Sequence, residues 1–155
     1  MASAATQKWN ARFARAKKPV NAAKVLHNHI EFLPQQGTAV DLACGLGGNA
    51  LLLANHGLAT SAWDAAEIGL AKLQLFAAQQ QLTVTTRQVD LESDIFPAQT
   101  FDIVTVSHYL HRPLFPKIIA ALAFIPIIVI YSIFLYQLDF DNIWKNRGFG
   151  VLGFW

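Results

Sequence analysis

From about Thr38 to Ala123 the chain alternates short apolar runs with longer segments of helical character. Thr38 to Cys44 (TAVDLAC) is an apolar run ending at glycines, and it predicts a strand. Asn49 to His56 (NALLLANH) predicts a helix, with Gly57 as its stop. Leu58 to Asp64 (LATSAWD) predicts a second strand. Ala65 to Gln81, rich in Ala, Leu and Gln, predicts a helix. Leu82 to Asp90 (LTVTTRQVD) alternates and is β-branched, so it predicts a third strand. Phe101 to Ser107 (FDIVTVS) predicts a fourth, and Leu114 to Ala123 a helix after Pro113. Strands alternating with helices imply βαβ units. The expected class is α/β, a doubly wound, mostly parallel sheet with helices on both faces and right-handed crossovers.

The pattern divides the chain into an N-terminal helical arm (1–36), a main domain (37–136) and an atypical tail (137–155). In the arm, Trp9 and Phe13 sit four apart, as a packing helix places them. Near the other end, Ile118 to Tyr136 is nineteen residues without a charge. That length suits a membrane-spanning helix, which needs about 20 apolar residues. The competing reading is a helix end, a turn at Pro126 and a buried strand from Ile127 to Leu135. A central parallel strand is apolar on both faces, and this stretch is dense in Ile, Val, Tyr and Phe. The preceding rhythm calls for a strand here, so the strand is the favoured reading.

Composition narrows the class further. In 155 residues, 54% are apolar and only 14% charged, against about 25% charged in an average soluble chain. Disordered and coiled-coil classes are excluded. A single cysteine, Cys44, excludes an intramolecular disulfide framework and a cysteine-built zinc site. It fits a reducing compartment, and a cytoplasmic location is expected. The net charge is +2, but six of the twelve basic residues (Lys8, Arg12, Arg15, Lys17, Lys18 and Lys24) precede the first acid, Glu31. Such an arm could meet nucleic acid or an anionic surface. A solvated helix face is the expected role, and nucleic acid is not an expected partner.

Chemistry concentrates in the turn after the first strand, Val40-Asp41-Leu42-Ala43-Cys44-Gly45-Leu46-Gly47-Gly48-Asn49. Glycines there open backbone angles closed to other residues and let the main chain approach a ligand. In an open α/β sheet, ligands bind beyond the carboxyl ends of the strands. A glycine cluster after a strand is also an ordinary tight turn. Asp64 ends the second strand nineteen residues after Gly45, where a carboxylate can accept from both ribose hydroxyls. Asp90 ends the third strand with Leu91 beside it, a polar and an apolar group where a purine could lie. Each aspartate could instead be a helix cap or turn residue.

Asp41 to Asn49 (DLACGLGGN) resembles motif I of the class I methyltransferases that use S-adenosylmethionine. Trp63-Asp64 and Val89-Asp90-Leu91 resemble the ribose and adenine positions that follow, and Phe101-Asp102-Ile103-Val104 the strand-four motif. Ser107-His108-Tyr109-Leu110-His111-Arg112-Pro113 and Lys8-Trp9-Asn10-Ala11-Arg12-Phe13 are similar to segments of small bacterial members near the tellurite-resistance type. The resemblance covers about Lys8 to Ala123 and implies a Rossmann-like fold. It implies S-adenosylmethionine as cofactor, held by Asp41, Ala43, Gly45, Gly47, Asp64, Asp90, Leu91 and Ser107. Three departures stand out. Ala43 replaces the first loop glycine, which is tolerable if its backbone angles are ordinary. Pro126 is followed by Ile127 and Ile128 rather than glycines. The tail, with Gly148, Gly150, Gly153 and Trp155, does not resemble the closing hairpin, so that hairpin is expected to be incomplete, as in a truncated or frameshifted reading frame.

Other chemistries have less behind them. The pairs His27/His29 and His108/His111 have no acid or cysteine cluster to complete a zinc site, so no metal is expected. His108 follows strand four, where a general base could serve an acceptor, or where a loop histidine could bond to backbone. A nicotinamide-dinucleotide site would want G-x-G-x-x-G, and no glycine lies three beyond Gly47. Methyl transfer needs mainly alignment of donor and acceptor, which agrees with the lack of an obvious catalytic cluster. The expected activity is methyl transfer to a small-molecule acceptor. The alternative is an inactive or truncated domain, associated with a membrane through 118–136.

Overall fold

The computed structural model describes residues 2–130, with side chains as far as 123. The expectations for 131–136, for the tail and for the closing hairpin lie outside the described residues. Five strands form one sheet in the order β3-β2-β1-β4-β5: β1 (Thr38–Leu42), β2 (Ala59–Asp64), β3 (Val84–Gln88), β4 (Phe101–Val106) and β5 (Leu122–Ile130). Every pairing is parallel. The helices are α1 (Ala4–Ala14), α2 (Lys24–Asn28), α3 (Gly48–Asn55), α4 (Glu67–Gln79) and α5 (Phe115–Ala120), with 3-10 turns at Ile30–Phe32 and Arg112–Leu114. The chain leaves β1 toward β2 and β3 on one side, then returns to β4 and β5 on the other. The order therefore reverses beside β1, which places a crevice at the carboxyl ends of β1 and β4. This is a Rossmann-like architecture.

Alternation along the central strands builds a core on each face. Val40, Leu42, Val104 and Val106 join Trp63, Phe101, Leu114 and Ile118 in one buried cluster. Ala39 and Ile103, one residue out of phase, join Leu26, Leu33, Leu53 and Leu58 in another. The arm residue Leu26 is thus part of the sheet's own core. A third cluster joins α3 to α4 through Leu46, Leu51, Leu73 and Phe76. The start of β1 is tied to β4 by Asp102, whose Oδ2 accepts from Thr38 N at 2.7 Å and Thr38 Oγ1 at 2.9 Å. Those bonds hold the Asp102 carboxyl below its ordinary pKa.

The reading of the apolar run needs correction. The chain does not turn at Pro126. α5 ends at Ala120, and β5 begins at Leu122 and runs through Pro126 to Ile130, so the strand starts five residues before Ile127. The pairing explains how proline fits. Phe101 pairs with Leu122 and Ile103 with Ile127, so two steps along β4 face five along β5. Pro126 lies in this irregular stretch, where a missing N–H removes no regular ladder bond. The strand also breaks up the continuous helix that a span over 118–136 would need. Among the described residues, no helix is long and apolar enough to cross a membrane.

Candidate functional site

The carboxyl ends of β1 to β4 and one face of α1 enclose a cavity of about 1050 Å³. Ala43, Gly45, Asp64, Asp90, Leu91, Ser107 and His108, all singled out from sequence, line it. Asp41 and Gly47 do not; both stand behind the wall.

The turn after β1 is built on left-handed backbone. Gly45 has φ +55° and Gly47 φ +78°, and Gly47 caps α3. A Cβ on Gly45 would lie 3.1 Å from the Phe13 ring, and one on Gly47 would collide with the Leu73 side chain. Gly47 therefore serves helix packing, while Gly45 leaves room between loop and arm. Ala43 does not meet the condition of ordinary backbone angles. Its φ is +53°, which costs an L-residue about 1–2 kcal/mol. Cys44 between them is half-buried, its thiol pKa pushed up by burial and then by the charges of Asp41 and Asp64.

Beneath the loop, Asp41 is 1% exposed. Its Oδ1 accepts from Thr105 Oγ1 at 3.0 Å and Asn49 Nδ2 at 3.3 Å, and its Oδ2 has no partner. Desolvation raises the Asp41 pKa to about 7 in spite of those bonds. Asn49 is buried at a junction of three segments. It accepts from Ala23 N at 2.8 Å and donates to Ser107 Oγ at 2.8 Å as well as to Asp41. The sequence reading used Asn49 only as a helix start. Its position eight residues after Asp41, on the first turn of the helix that follows the loop, was the available signal.

Asp64 is half-buried at the end of β2. Its Oδ2 accepts from Gly45 N and its Oδ1 from Ala66 N, both at 2.7 Å. It is therefore a turn residue that also braces the glycine loop, and each oxygen, with one bond accepted, has capacity for another. Burial raises its pKa, opposed by the amides of Ala66 and Gly45. Asp90 likewise makes a local turn, accepting from Glu92 N at 3.0 Å, and Leu91 beside it is 5% exposed. Past β4, Ser107 is half-buried. His108 is exposed and has φ +57°, a conformation rare outside glycine and enriched at functional sites. Among the described residues, no group of three His, Cys, Asp or Glu could hold a metal ion.

The arm supplies the remaining wall, which the sequence reading did not foresee. Trp9 and Phe13 stack at 5.4 Å between centroids, and Phe13 covers Gly45 and Gly69. Asn10 Oδ1 accepts from Ile68 N, and Lys72 Nζ donates to Ala16 O, so α1 is fastened along α4. Trp9, Arg12 and Arg15 line the cavity. Part of the basic stretch read as a solvated face therefore borders the site.

Comparisons with known proteins agree with this geometry. A family model described as a methyltransferase domain matches residues 39–124. No curated protein sequence matches the chain. Among solved structures, a methyltransferase from Geobacter sulfurreducens in complex with S-adenosyl-L-homocysteine is similar over 84% of this chain and 56% of its own, with TM-score 0.64 and 16% identity. An S-adenosylmethionine-dependent methyltransferase from Mesorhizobium loti is similar over 66% and 50%, with TM-score 0.53 and 27% identity. TehB from Haemophilus influenzae is similar over 74% and 40%, with TM-score 0.55 and 22% identity. The chain spans about half the length of these solved proteins. With more than half of its residues matched by the family model and its strand ends converging on one cavity, the chain belongs to the family of methyltransferase domains.

Proposed function

We propose that the cavity binds S-adenosylmethionine and that the protein transfers its methyl group to a small-molecule acceptor in the cytoplasm. One observation carries this reading: the ends of β1, β2 and β3 bring Gly45, Asp64 and Asp90–Leu91 to a single cavity, in the order in which motif I and the ribose and adenine positions occur in the chain. The residues fit the cofactor. The loop at Gly45 offers main chain without a Cβ, Asp64 keeps lone pairs for ribose hydroxyls, and Leu91 offers an apolar contact beside the Asp90 carboxylate. The unpartnered Asp41 Oδ2 lies under the loop, and once the carboxyl ionises, above about pH 7, it supplies negative potential for a cationic ligand. When bound, S-adenosylmethionine supplies an electrophilic methyl group on a sulfonium, and an acceptor lone pair takes that group as the carbon–sulfur bond breaks.

The chain's own work is alignment and exclusion of water. Phe13 and Trp9 close the cavity from the arm side, and Asn49 fixes Ser107 at the end of β4. His108 is the candidate for taking a proton from the acceptor. A volume of about 1050 Å³ is at the upper end of the roughly 300–1,000 Å³ typical of ligand pockets, which suits a ligand as large as the cofactor. The free thiol of Cys44 on the loop fits a reducing compartment. Calorimetric titration with S-adenosylmethionine and S-adenosylhomocysteine tests the reading. Saturable binding of both is expected, and a folded protein that binds neither refutes it.

A further inference from the structure

A buried carboxylate needs partners or water to stay ionised. Asp41 is 1% exposed, and its Oδ2 accepts no hydrogen bond. Much of its cover is fixed: β1 is paired on both sides, to β2 and β4, and Gly47 packs on Leu73. One part of the cover is thinner. Residues 17–23 join α1 to α2 and cross the first turn of α3. A Cβ on Gly48 would lie 2.6 Å from Asn21 O, and Ala23 N donates to Asn49 Oδ1 at 2.8 Å. Asn49 Nδ2 donates in turn to Asp41 Oδ1 and Ser107 Oγ. The two ends of the segment are anchored, by Lys72 Nζ on Ala16 O and by Leu26 in the core. Between them, Lys17, Lys18, Val20 and Asn21 are exposed, and a segment with few buried contacts opens at low cost.

We propose that residues 17–23 form a strap that lifts from α3 as Asp41 ionises, opening the cavity wall where Asn49 meets Ser107. Two effects of the charge compete. Ionisation strengthens the bonds that Asp41 accepts from Asn49 and Thr105, which tightens the strap. Burial opposes the charge and is the larger effect, since it raises the pKa to about 7 in spite of those bonds. Water admitted under the lifted strap relieves that burial, and the pKa falls back toward 3.8. Docking is therefore full below about pH 4 and is lost progressively as pH rises through about 7. The groups around Asp41 do not reverse this sign. Asp64, at the end of β2, adds a like charge. The Cys44 thiol in the loop stays neutral, its pKa pushed up by burial. α3 and β4 present Asn49, the Ala50 amide and Thr105, which do not titrate. Lys17 and Lys18 on the strap, Lys24 after it and His108 beyond Ser107 are exposed. Because Val20, Asn21 and Ala23 line the cavity, lifting gives it a second opening. The strap belongs to the ligand-free chain and does not depend on what the cavity binds.

The test is hydrogen exchange at the Ala23 amide of the full, ligand-free chain, expressed as protection relative to an unstructured peptide at the same pH. In the wild type, protection should fall about tenfold or more between pH 5 and pH 7.5. It should depend little on dilute urea, while amides of β1 and β4 stay better protected. Asp41→Asn removes the charge, so its Ala23 protection should not change with pH. Gly48→Ala sets a methyl against Asn21 O and props the strap open, so its Ala23 protection should be low already at pH 5 and change little by pH 7.5. Should Asp41→Asn fail to fold, Gly48→Ala carries the test. Three results overturn the strap: Ala23 exchanging only as fast as the β1 and β4 amides, equal wild-type protection at the two pH values, or a fall that persists in either variant.

Discussion

Replacing Asp41 with asparagine keeps the shape of the side chain and its Oδ1 acceptor, and removes the charge. In the native protein that charge is fully desolvated, and the carboxyl pKa rises from 3.8 to about 7. A rise of roughly three units corresponds to about 4 kcal/mol at 1.36 kcal/mol per unit. Its sign follows from proton uptake. Between pH 4 and 7 the folded state holds a proton that the unfolded chain has released, so stability is full below pH 4 and declines as pH rises through about 7. Asparagine cannot ionise, and its contribution stays flat. Near pH 4 the two proteins should be similar in stability, since a neutral acid and an amide each leave one polar group without a partner where Oδ2 now stands. At pH 8 the variant should be more stable by about 2–4 kcal/mol, or roughly 5–15 °C in melting midpoint for a chain of this size. Urea denaturation of the ligand-free proteins at pH 4.5, 6 and 8 measures the difference. The contribution of Asp102 is common to both and cancels, whereas that of Asp64, whose charge helps raise the Asp41 pKa, is part of the difference measured. A difference that does not change with pH, or a less stable variant at pH 8, would refute the reasoning. The same charge should serve a cationic methyl donor, so wild-type affinity for S-adenosylmethionine should rise through about pH 7 and that of the variant should not.

Ala43→Gly should stabilise the protein by about 0.5–1 kcal/mol in urea, because relief of the φ +53° strain outweighs the added freedom of the unfolded chain; a loss of stability would show that the strain is absent. Asp64→Ala should lower stability by about 1–2 kcal/mol, since the Gly45 and Ala66 amides lose their acceptor, and should also weaken cofactor binding. Unchanged affinity in the folded variant would remove Asp64 from the site. Asn49→Ala should cost about 2–4 kcal/mol through two lost buried hydrogen bonds and one part-buried, and should expose the arm to protease cleavage before the main domain unfolds. An arm as resistant as in the wild type would count against that linkage.

The strands were legible because a parallel sheet covered on both faces demands apolar runs, and β1, β2 and β4 each carry one between turn residues. β5 was misplaced by five residues. Proline in a sequence normally marks a turn, and only the pairing with β4 reveals an irregular stretch that accommodates it. At the site, the residues facing the cavity were found where motif and strand end coincide, as at Gly45, Asp64 and Asp90. Gly47 was grouped with them because its neighbour Leu73 is twenty-six positions away and invisible to local pattern. Asn49 escaped notice for the same reason, since its partners Ala23 and Ser107 are remote in sequence. The arm's share of the wall could not be inferred from charge spacing, which gives a basic face without saying what lies opposite it.

The Asn49 junction turns docking of the arm into something that can be timed. The Ala23 amide donates to the Asn49 side chain, so its hydrogen exchange reports detachment of the N-terminal segment without unfolding of the sheet. The same side chain holds Ser107, a residue of the cavity wall. A ligand that fixes Ser107 should slow exchange at Ala23, and a ligand that pulls Ser107 away should speed it. By reciprocity, whatever restrains the arm must change affinity for that ligand by the same factor. One side chain thereby couples the docking of the N-terminal segment to the state of the wall at the end of β4.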